Sequence, residues 1–182
     1  MHLNIPRPLA SVVNILLSIK SYILAISSLI LAFVFFLVVI LRYLFEADLF
    51  AYEEWILMIA FWVYFLGGAM GSYENTHVKA DFLLSLIDNV RTKWIVVSFT
   101  IFVELLICMV LTWWGWLMLA EELNAYPQWQ TTTGLELPFA IPKLGIFIGF
   151  VLMTFYTALH LLSGLRDGPS KEWEEDEAPP HI

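Results

Sequence analysis

Few residues in this chain have the type and surroundings to do chemistry. Glu104 is the most exposed to question, because it is an acid well inside an apolar run that spans residues 94–119. It lies ten residues beyond Trp94, roughly 15 Å along a helix axis, which is mid-membrane if the run crosses a bilayer. An ionisable group at that depth is a candidate for an ion or proton role. The bland alternative is a carboxylic acid kept neutral and hydrogen-bonded to a neighbouring helix. Arg42 closes one apolar run, and Glu53 and Glu54 open the next. If the two runs pair as antiparallel helices, these charges share a depth and can form an ion pair at the interface; the alternative is separate snorkelling to water. Acids at a helix start also suit the positive end of its dipole. His77 and Asp81 share a polar loop, where a lone histidine is ordinarily solvated and Asp81 suits a helix N-cap.

Other chemistry is not supported. The single cysteine, Cys108, sits in an apolar run and has no second cysteine to pair with, so it reads as a small buried side chain. No nucleophile–base–acid set, phosphate-cradling glycine loop or Cys/His cluster with metal spacing is present, so neither enzyme activity nor a metal or cofactor is expected. Nucleic-acid binding has no basic patch to rest on.

The elements that hold these residues follow from composition. The chain has 182 residues, 60% of them hydrophobic and 14% charged, with a mean hydropathy of +0.77. Soluble domains run nearer half apolar and a quarter charged. The apolar residues come in runs of about 20, enough to cross a hydrocarbon core of about 30 Å. The expectation is therefore an all-α integral membrane protein with four transmembrane helices, at about 22–41, 52–73, 94–119 and 138–162, forming one membrane domain over 22–162. No cleavable signal peptide is expected, since the first run is too long and lacks a small-residue cleavage site.

Short interfacial amphipathic helices are expected beside the spans. In 1–21, Leu9, Val12, Val13, Leu16 and Leu17 recur at helical spacing, with Ser11, Asn14, Ser18 and Lys20 elsewhere. A second such helix is expected in the 74–93 loop, from Phe82, Leu83, Leu86, Ile87 and Val90. Trp113, Trp114 and Trp116 mark one membrane boundary and Trp94 the other. The loop after the third span, with Tyr126, Pro127 and Trp129, is expected to fold back on the interface. The tail 163–182 is acidic and expected to be disordered; it supplies much of the net charge of −8.

Arg7, Lys20, Lys79, Arg91, Lys93, Arg166 and Lys171 fall on one side of this layout, with Arg42 and Lys143 toward the other. By the positive-inside rule, both termini and the 74–93 loop are expected to be cytoplasmic. Gly67 and Gly71, Gly68 and Ser72, and Gly145 and Gly149 stand four apart, a spacing that allows close helix approach. Transporters usually show broken helices and polar groups at mid-depth. These spans are continuous and carry one buried acid, which favours a helper subunit packed by its glycine faces against a larger partner.

The chain resembles the small membrane subunit (DctQ-like, or Q subunit) of tripartite ATP-independent periplasmic (TRAP) transporters over nearly its whole length. The resemblance rests on Arg42-Tyr43, then Glu53-Glu54, Leu66-Gly67-Gly68-Ala69, His77, Asp81 with Phe82-Leu83, and later Leu137-Pro138 and Ile141-Pro142. The family often has a basic residue where Tyr73 stands and another where Thr76 stands, so an inner-face salt bridge there is not carried over. The resemblance implies a bacterial inner-membrane scaffold that supports a large M subunit. That subunit would import an organic acid, of the dicarboxylate or sialic-acid class, with sodium. A periplasmic substrate-binding P protein would deliver the acid, and membrane lipids would surround the assembly. Two other readings stand beside it: a self-contained small transporter or channel, and a haem-bearing membrane anchor of a redox enzyme. The latter needs paired histidines inside spans, and only His160 is near one.

Overall fold

A computed structural model of the chain describes residues 7–47, 50–74, 87 and 89–168. Four long helices account for most of them: α1 (Arg7–Leu44), α2 (Tyr52–Glu74), α3 (Val90–Asn124) and α4 (Ala140–Asp167). All four are long and apolar enough to cross a membrane. His77 and Asp81, and the amphipathic helix expected between α2 and α3, lie outside the described residues.

α1 is one helix of 38 residues, roughly 57 Å long. The surface helix expected over 1–21 and the span expected over 22–41 are not separated by a break. From Leu9 to Leu44 the sequence contains neither proline nor glycine, so nothing interrupts the backbone ladder where hydropathy falls. α2 begins at Tyr52 with Glu53 and Glu54 in its first turn, where their charge complements the helix dipole. The side chain of Asn89 accepts a hydrogen bond from the Arg91 amide at 3.0 Å and caps α3. Pro142 stands in the first turn of α4, where an N–H would have no intrahelical partner anyway. α4 runs five residues past the expected end at 162, because Ser163 and Gly164 are buried and the Trp94 indole N–H donates to the Gly164 carbonyl at 2.9 Å.

In space the helices follow the order α1, α2, α4, α3, so the last helix of the chain sits between the second and third. α1 and α2 run antiparallel, as do α3 and α4, whereas α2 and α4 run parallel, with Trp62 beside Gly145, Phe65 beside Gly149 and Tyr73 beside His160. One end of the body therefore gathers Lys20, Tyr73, Trp94 and His160; it is called the terminal end below. The other end carries the turn before α2 and the loop between α3 and α4; it is called the loop end. Buried side chains line α2 and α4, with Ala69 and Tyr156 at 0% exposure. α1 and α3 instead show large apolar side chains outward, among them Leu29, Phe36, Phe99 and Trp114. An apolar outer surface of this extent suits a lipid or protein neighbour.

Candidate functional site

The polar chemistry of the molecule is gathered at three levels. At the loop end, the Glu54 carboxylate accepts from the Gly134 amide at 2.7 Å and the Leu135 amide at 2.8 Å, one oxygen each. Glycine at 134 leaves room for this: a Cβ there would lie 2.9 Å from Glu54 Oε1 and 3.1 Å from Ala51 Cβ, and one of them would have to shift. The loop is also tied within itself. Thr132 donates its amide to the Leu137 carbonyl at 3.0 Å, and the Leu137 amide donates to the Thr132 hydroxyl at 3.0 Å. Glu136 takes a left-handed backbone, at φ 54°, unusual for a residue with a Cβ. Beneath the loop, Glu122 is 2% exposed, forms an ion pair with Lys143 and accepts from the Gln130 amide at 3.1 Å. Two carboxylates from different helices thus hold one loop, each through backbone amides.

At mid-depth a polar seam joins α3 to α4. The Thr157 hydroxyl donates to Glu104 Oε1 at 3.3 Å. One helical turn on stands Cys108, whose carbonyl accepts from the Thr112 hydroxyl at 2.8 Å. Thr112 and Thr154 hydroxyls meet at 2.8 Å across the two helices. Glu104 is half-buried here.

At the terminal end a His160 ring N–H donates to the Tyr73 carbonyl at 2.8 Å. The Tyr73 and Tyr156 rings meet edge to face at 5.4 Å, and the Lys20 Nζ stands 4.4 Å from the Tyr156 ring centroid. Among the described residues no cluster of three or more His, Cys, Asp or Glu side chains is placed to hold a metal.

The glycine faces divide. A Cβ on Gly149 would lie 2.6 Å from Phe65 Cβ and 3.0 Å from the Phe65 carbonyl, so α2 and α4 touch there backbone to backbone. Gly145 accommodates the Trp62 ring, whose atoms would be 3.1 Å from a Cβ, while the Trp62 N–H donates to the Ile141 carbonyl at 3.2 Å. Gly68 lies against the end of Met153. The Gly145/Gly149 face, a candidate for a partner subunit, is therefore occupied by α2 of the same chain. Gly67 meets Leu24 of α1 at an ordinary 3.9 Å, and Gly71 is one turn further on.

The expected tie of Arg42 to Glu53 or Glu54 is not made. Arg42 and Glu53 are exposed, and Glu54 is engaged by the loop. Sequence reasoning missed this partner because it stands 80 residues away. It also passed over Glu122 and Lys143. A signal was present: an acid in the last turn of a helix opposes the dipole, and so needs compensation from elsewhere.

The fold and these ties define a class: a helical, multi-pass membrane subunit whose polar groups hold its own helices together. The particular family follows from the sequence, since the profile described as "Tripartite ATP-independent periplasmic transporters, DctQ component" matches residues 11–167. The chain belongs to that family, a family of transporter components and not of enzymes. No curated protein matches the chain.

Proposed function

We propose that the chain is the fixed scaffold subunit of a TRAP transporter. It braces a large M subunit that imports an organic acid, of the dicarboxylate or sialic-acid class, together with sodium, after a periplasmic P protein delivers the acid. The observation that carries this reading is the seam: at depth, Glu104 bonds to Thr157 and Thr112 to Thr154 between α3 and α4. Polar groups spent on helix–helix ties favour a rigid body over a site for hydrophilic cargo. The outward apolar faces of α1 and α3 supply surface for the partner. The loop held by Glu54 and Glu122 offers the P protein a preformed platform on the periplasmic side, with both termini and the basic loops cytoplasmic.

The haem alternative gains nothing, since it needs paired histidines and His160 is the only histidine among the described residues. The test is reconstitution in liposomes with an imposed sodium gradient. Uptake is expected only when this chain, the large subunit and the binding protein are combined. Concentrative uptake by this chain alone would refute the scaffold reading.

A further inference from the structure

Lys20 is a lysine that has left water. Its side chain belongs to a residue only 3% exposed, and its Nζ has no hydrogen-bond partner. Beside it, Tyr156 is 0% exposed, and its hydroxyl is likewise without a partner. The two groups adjoin, with the ammonium over the ring at 4.4 Å from its centroid. They come from helices that are not sequence neighbours: α1 supplies the amine and α4 the phenol. Cation–π attraction holds such a pair together, but it satisfies no N–H or O–H. Buried lysines are almost always paired, and an orphaned buried donor points to an ion or water at the site. Glu74, at the exposed end of α2, lies near enough to favour the Lys20 charge but makes no hydrogen bond to the amine.

The missing partner is an acceptor that reaches two donors, and one that carries negative charge answers the ammonium best. It must also be found where these groups lie. Lys20 is at the terminal end, level with Tyr73 and Trp94, where the exposed Arg91 and Arg166 also stand. A headgroup phosphate has the charge, several acceptor oxygens and the right depth. Basic pockets between membrane helices bind such headgroups.

We propose that Lys20 and Tyr156 form a binding site for the phosphate of an anionic membrane lipid, seated between α1 and α4. The phosphate accepts from the Lys20 ammonium and the Tyr156 hydroxyl, and its acyl chains run along the apolar flank of α1. Lipid would then complete the joint between the most loosely packed helix and the rest of the body.

The test uses the full chain, purified and delipidated, with lipid binding read by native mass spectrometry. Phosphatidylglycerol is expected to bind about tenfold or more tighter than diacylglycerol, which lacks the phosphate, the scale of a charge-assisted hydrogen bond. Lys20→Met and, separately, Tyr156→Phe are expected to reduce that preference, the lysine change by more. Tyr156→Phe keeps the ring and removes only the hydroxyl, so it guards against a result due to unfolding. Equal binding of the two lipids by the unaltered chain would overturn the proposal, as would an unchanged preference in both variants. Displacement of the lipid by millimolar inorganic phosphate would overturn the lipid assignment.

Discussion

Two carboxylates do unlike work within one loop. Glu54 is partly open to water and holds the Gly134 and Leu135 amides. Glu54→Ala is expected to speed hydrogen exchange at those two amides while leaving the helices protected; unchanged exchange would show that the loop holds itself. Glu122 is buried and paired with Lys143. Removing one member of a buried pair strands the other, at a cost of about 3 kcal/mol or more. Lys143→Met should lower stability by that order, and Glu122→Gln in the same chain should restore much of it, as a double-mutant cycle of unfolding would measure. Glu104 bonds to Thr157, and Gln at 104 can keep that bond. Uptake by the assembled transporter should therefore survive Glu104→Gln, whereas a proton relay through this residue would be abolished.

At the scale of elements, packing separates glycines that the sequence presents alike. Gly149→Ala forces a methyl group into Phe65 and should cost about 1–3 kcal/mol of overpacking. Gly67→Ala meets only Leu24 at 3.9 Å and should be neutral or mildly stabilising through helix propensity. Comparable losses at both positions would refute this assignment of faces. The spans themselves were legible, because hydropathy reports depth directly; the start of α2 at Tyr52 coincides with expectation. The continuity of α1 was not, because the turns before Tyr22 change in polarity without changing in backbone preference. The partners of Glu54 and Glu122 were not legible either. A single sequence carries no trace of which residue, 80 positions away or 21 positions away, a carboxylate will meet. Spacing found the glycine pairs, but only coordinates show that α2 already fills the one on α4.

For the whole molecule, alternating helices place both described termini at one end, and the basic residues argue that this end is cytoplasmic. In intact cells an impermeant maleimide should label Gln128→Cys readily, and Asn14→Cys only after permeabilisation; both positions are exposed. Labelling in the opposite sense would invert the proposed orientation. The position of α4 between α2 and α3 has a further consequence for biogenesis. The segment that joins the two preceding hydrophobic hairpin arms is made last. Until the ribosome has released it, those arms share no extensive contact, and the nascent chain must wait in the bilayer as unjoined pieces. Quality control would therefore meet an open intermediate in every round of synthesis, and nonsense mutations anywhere before residue 140 would leave nothing able to close.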